Sequence, residues 1–192
     1  MSSEPNSYRS LRAYYSVPML SQDPAVLARD LQAESDRAMV VIGGSLLEDG
    51  LREMIRTKLR PMDVQELREL RIFAHDGPIG GFSKTITVAY ALGLIDGQTV
   101  KELTDIREMR NACAHSFRPI DFKTPELANV CKRLFSGDEN LFKMETDGDR
   151  DKMRLAFVTV FVTLMTVISH GSREEAQAVL RSTVAELNGV AR

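Results

Sequence analysis

Cysteine is scarce in this chain of 192 residues, with only Cys113 and Cys131. They stand at no metal-ligand spacing and accompany no paired histidine motif, which excludes a zinc module and a disulfide scaffold. They read as reduced thiols of a cytoplasmic protein, with Cys113 on a packed helix face. No one sign of charge dominates: 25 Lys and Arg stand against 27 Asp and Glu, a net charge of −2. That balance argues against the broad cationic footprint through which proteins hold DNA. It leaves room for a small phosphate site. Long apolar runs are missing too. The most apolar segment, Leu155 to Ser169, carries no charge and is about 15 residues long, against about 20 for a transmembrane helix. No membrane contact is expected, and the segment reads as the central helix of a bundle, although its Val and Thr content is also compatible with a strand. The first 23 residues lack a basic start followed by an apolar run, so they do not read as a signal peptide.

What is present fits an ordinary globular protein, with 43% hydrophobic and 27% charged residues and a length suited to one domain. Residues 1–20, rich in Ser, Tyr and Pro, read as a flexible arm; residues 21–192 read as one helical domain. Asp23-Pro24 has the form of a helix start, Asp as cap and Pro in the first turn. A longer helix is predicted over about Ser35 to Leu59, with an apolar stripe of Met39, Ile42, Leu46, Leu47, Met54 and Ile55. Gly43-Gly44 interrupts it and points to a kink or a close helix approach. Further helices are predicted over Val64–Ile72, Phe82–Leu92, from Asp96 to about His115, from Thr124-Pro125 to Phe135, and from Lys152 to His170. Gly137 to Asp151 reads as an acidic loop. Ser172-Arg173-Glu174-Glu175 has the form of a capping box for a last helix through Leu187. The fold class is all-α, a single-domain bundle of about six to eight helices.

The densest chemistry is Arg110, Asn111 and His115 at the end of one helix. Asn111 and His115, four apart, share a face. Arg110 and His115 differ by about 140° and a rise of about 7.5 Å, a gap that a long Arg side chain can narrow. A fixed cation, an amide and an imidazole together can hold a phosphate or move a proton. The same residues can equally be structural: a histidine in the last turn bonds free carbonyls and complements the dipole, and Arg110 and Asn111 can tie that turn to a neighbour.

Three other motifs carry less. Gly77 through Ser83-Lys84-Thr85 is like a phosphate-binding loop, but lacks the Gly before Lys and a preceding strand, so Lys84 reads as a solvated helix residue. Asp147-Gly148-Asp149-Arg150-Asp151 starts like a calcium loop, yet Lys152 replaces the turn glycine and Val158 the terminal Glu. His75 and Asp76 have no partner at ligand spacing, and no metal or cofactor is expected. Ala89 to Asp96 with the helix after it is spaced like a helix-turn-helix. Glu102, Asp105 and Glu108 would repel phosphate there, so a plain antiparallel helix pair is the better reading.

Two linked stretches carry a resemblance. Asp36-Arg37 leads into Leu46-Leu47-Glu48 and Leu51. Gly77-Pro78-Ile79 through Phe82 leads into Ala89-Tyr90-Ala91-Leu92-Gly93-Leu94-Ile95 and then Ile106 through His115. This order resembles the mannitol operon repressor (MltR) family over roughly residues 30–135. The resemblance implies an all-helical bacterial transcription regulator that works through a protein partner or a small ligand, without direct DNA reading. Arg110-Asn111-x-x-x-His115 also resembles the motif of the HEPN superfamily, whose proteins are usually dimeric and include many metal-independent ribonucleases; a homodimer is expected. That likeness implies His115 in acid/base transfer with a ribose 2′-hydroxyl, Arg110 stabilising the phosphorane, and Asn111 as orienter. RNA is the partner in that case. A cluster that serves function should line an exposed cleft or a dimer seam, whereas a helix lock should be buried and fully bonded.

Overall fold

Short polar side chains start most of the helices in the computed structural model, which describes residues 18–134 and 149–171. Asp23 accepts the Ala25 N–H (2.9 Å) ahead of α1 (Pro24–Ala33). Ser35 accepts the Ala38 N–H ahead of α2 (Asp36–Arg56). Asp63 accepts the Glu66 N–H ahead of α3 (Val64–Leu70). Helix α4 (Phe82–Ala91) follows Gly81, and Asp96 accepts the Thr99 N–H (2.7 Å) ahead of α5 (Gly97–His115). Helices α6 (Pro125–Leu134) and α7 (Asp149–His170) complete the described residues, which contain no strand. Each cap satisfies a donor that helix geometry orphans. The predicted arm up to residue 17, most of the acidic loop and the predicted last helix lie outside the described residues.

Helix α7 is the centre of the bundle. It packs on α1, α2 and α6, and Phe157, Phe161, Leu164 and Met165 are fully buried. Its apolar window is long enough to cross a membrane by composition, yet 72% of that window is buried. A helix apolar all round is what a core position demands, and the strand alternative for this segment is thereby settled. The His170 ring Nδ1 lies 3.2 Å from the Thr166 carbonyl oxygen, in the last turn of the helix. A 3-10 turn at Met19–Ser21 packs on α2 and α7, Met19 is buried, and the Leu20 N–H donates to Glu53. Met19 and Leu20, the last residues of the expected arm, thus pack against the bundle.

A polar lock joins the first turns of α7 to the α1–α2 corner. Asp36 is 3% exposed and accepts from Arg150 Nε (2.8 Å) and Nη2 (2.7 Å), from Arg154, and from the Phe122 N–H (3.1 Å). Arg154 also donates to the carbonyls of Gln32 and Glu34. Burial pushes the Asp36 carboxyl up, but Arg150, the Phe122 N–H and Arg154 outweigh burial and hold it below the usual value. Both cysteines are free and buried, and burial pushes Cys113 up to about 11 and Cys131 up to about 12. They are inert protonated thiols, as a packed position requires.

Candidate functional site

Helices α2 and α5 pack against each other, and glycine sets how closely. A Cβ on Gly44 would lie 2.9 Å from Arg110 Cβ and 3.0 Å from its Cγ. The helix runs through Gly43-Gly44 without a break, so the pair serves close approach and not a kink. That approach brings Glu48 of α2 to Arg110 of α5, at 2.5 Å from Arg110 Nη2. Glu48 also accepts from Arg52 Nη2 at 2.5 Å, one turn along its own helix. The Arg110 guanidinium stands 5.7 Å over the Phe82 ring. Gly44→Val is expected to cost about 1–3 kcal/mol as overpacking, because it strikes a Cβ and not a mobile side-chain end. Urea unfolding of the purified variant checks this.

Around this junction lies an open cleft of about 710 Å³. Glu48 and Arg52 line it from α2, Arg107, Arg110 and Asn111 from α5, and Phe82, Ser83 and Lys84 from the first turn of α4. His75, Phe73, Gly80 and Gly81 complete the wall from the α3–α4 loop. That loop is drawn tight by the Ile79 N–H donating to the Ile72 carbonyl at 2.9 Å. Among the described residues of the lining, three Arg and one Lys therefore face one carboxylate. The Nε–H groups of Arg52, Arg107 and Arg110 are the buried side-chain polar atoms that lack a partner among the described residues. Buried donors in that state are costly, at about 1–3 kcal/mol each.

The structure divides the expected cluster. Arg110 and Asn111 line the cleft. His115 is exposed at the last residue of α5, outside the cleft lining, and has no hydrogen bond or ion pair among the described residues. Nor does it cap its helix: Arg37 Nη2 reaches the carbonyls of Ala114 (3.4 Å) and Ser116 (3.1 Å) instead. Of the two stated alternatives, Arg110 carries features of both, bonded to Glu48 yet lining an open cleft. Lys84, expected to be simply solvated, donates to the Gly77 carbonyl (3.2 Å) and stands on the cleft wall. Among the described residues no group of three or more His, Cys, Asp and Glu is placed to hold a metal. Helices α4 and α5 pack directly on each other as a pair.

Sequence reasoning missed the basic cleft because its cations come from three separate segments. The available signals were local: Arg107 and Arg110 at a three-residue spacing on one helix and Glu48 and Arg52 at a four-residue spacing on another.

Together these features define an all-helical bundle with a cationic cleft between α2, α4 and α5. No protein-family model matches the chain, and no curated protein matches it. Among solved structures the chain is similar to MtlR of Escherichia coli, in the X-ray structure of the MtlR-HPr complex. The TM-score is 0.59 at 16% sequence identity, covering 76% of this chain and 98% of that chain. The two share a fold.

Proposed function

We propose that this chain is a cytoplasmic regulatory protein of the mannitol operon repressor kind, working as a homodimer through a protein partner and without reading operator DNA. The observation that carries this reading is the fold held in common with MtlR, a protein solved in complex with HPr; HPr or a protein like it is the proposed partner. The state of α5, the one helix spaced like a recognition helix, supports it. Thr99, Glu102, Leu103, Ile106 and Met109 are buried, Asp105 pairs with Arg133, and Glu108 pairs with Arg107. A helix buried along one side, with the carboxylates Asp105 and Glu108 along another, presents mixed charge and not a cationic row to a major groove. Phe117, fully exposed beside His115, supplies an apolar anchor of the type that dimer and partner interfaces use. Gel-shift titration of the purified chain against fragments of its own operon tests the DNA half of this reading. Weak, salt-labile and sequence-independent retention is expected; tight and sequence-specific retention by the chain alone would overturn it.

A second reading, a metal-independent endoribonuclease, is favoured by the placement of Arg110 and Asn111 on a cationic wall. The exposed His115 would have to meet a cleft of the partner copy for this chemistry. Cleavage of single-stranded RNA in EDTA, leaving a 2′,3′-cyclic phosphate and lost in His115→Ala, would establish it. The regulatory reading expects the RNA to survive intact.

A further inference from the structure

The geometry points to the cleft between α2, α4 and α5 as a binding site for a phosphate monoester or free phosphate, a function separate from partner binding and independent of it. Arg52, Lys84, Arg107 and Arg110 stand against Glu48 as the only carboxylate in the lining among the described residues, so the lining holds three more cationic side chains than carboxylates (four minus one), with Asp49 and Glu108 pairing with Arg52 and Arg107 from outside it. This surplus sits in a chain whose net charge is −2, so it is a local construction and not a reflection of overall basicity. The cations also converge from different directions, on α2, α4 and α5. A planar carboxylate is matched by one arginine fork, whereas a tetrahedral dianion uses donors from several sides.

The guanidinia are held in place but not used up. Glu48 pins Arg52 and Arg110 through one Nη2 atom each, and Asp49 stands 3.6 Å from Arg52 Nη1. Arg107 pairs with Glu108, which does not line the cleft. All three retain an unpartnered Nε–H, and an anion drawing the forks toward it would use Nε and Nη together. The first turn of α4 adds to this. Gly81 precedes it with φ +89°, no side chain among the described residues caps the helix, and a Cβ on Gly81 would meet nothing within 4 Å. Leading N–H groups of a ten-residue helix and its positive dipole end are therefore available on the same wall. Phe73, half-buried on the wall, provides an apolar flank for an organic substituent on the phosphate. The volume, about 710 Å³, is that of a small-molecule site. It is a single pocket and not a track along which a nucleic-acid backbone would lie.

The test is isothermal titration of the full chain in phosphate-free, low-salt buffer with inorganic phosphate, with glycerol 3-phosphate and with glycerol. Saturable binding of one phosphate species per chain is expected, with no heat from glycerol. Equal affinity for phosphate and its ester identifies free phosphate as the ligand; tighter binding of the ester identifies an organic phosphate seated on the aromatic flank. Lys84→Gln and Arg107→Gln, neither of which pairs with Glu48, are each expected to weaken binding at least about tenfold. Arg133→Gln, a cation removed outside the cleft lining, is expected to leave affinity unchanged. Unchanged affinity in both the Lys84 and Arg107 variants with native circular dichroism, or no saturable binding of either phosphate by the unaltered chain, would overturn the assignment.

Discussion

Asp36→Ala is expected to lower the unfolding free energy by about 3 kcal/mol, the lower end of the cost of breaking a buried ion pair from one side. The lower end applies because Arg150 is 43% exposed and regains water once its partner is gone. Arg154, at 15% exposed, and the Phe122 N–H do not recover so easily. The sign with pH follows from the depressed carboxyl. Its contribution is fully present above the unfolded value near 3.8 and is lost as pH falls through the lower folded value. Urea midpoints of the parent and Asp36→Asn should therefore stay a constant distance apart from pH 7 down to about 5 and converge below about 4. Midpoints that coincide at pH 7 would show that the lock contributes nothing to stability.

Phe157→Ala should cost about 3–5 kcal/mol alone, as a fully buried ring leaves a cavity. Phe157 is completely buried and packs tilted on Phe122, with ring centroids 6.0 Å apart. The more telling experiment couples it to Gly43. A Cβ on Gly43 would lie 2.9 Å from Phe157 Cε1 and 3.2 Å from Cζ, so Gly43→Ala alone is expected to destabilise. In the Phe157→Ala background the obstruction is gone. The same Gly43→Ala change then fills part of the cavity and gains up to about 1 kcal/mol of helix propensity. The double-mutant cycle should show strong non-additivity with a change of sign. Additive effects would mean that Gly43 does not exist to admit this ring.

The helices were legible because their signals are local. Asp23, Ser35, Asp63 and Asp96 each precede a helix, and each accepts the backbone N–H expected of a cap. Boundaries shifted at two helix ends, once through a local bond and once through a tertiary one. Helix α2 ends at Arg56 and not near Leu59, with the Thr57 hydroxyl bonded back to the Met54 carbonyl. Helix α7 begins at Asp149, before the expected Lys152, and carries Arg150 into the Asp36 lock. The residues behind the family resemblance turn out to have identifiable physical work. Asp36 anchors α7, Arg37 closes the C-terminal end of α5, and Glu48 meets Arg110 across the α2–α5 contact. The cleft was not legible, because an overall charge near zero conceals a cationic wall assembled from three separate segments. His115 shares a helix face with Asn111, but the cleft wall stops a turn before the helix does.

The most direct test of the regulatory reading is calorimetric titration of the purified full-length chain with HPr from the organism that carries it. A saturable complex of fixed stoichiometry, formed in the absence of DNA, is the predicted result. No detectable heat and no co-elution on size exclusion at concentrations up to about 1 mM, the range of weak encounters, would contradict a protein that regulates through this partner.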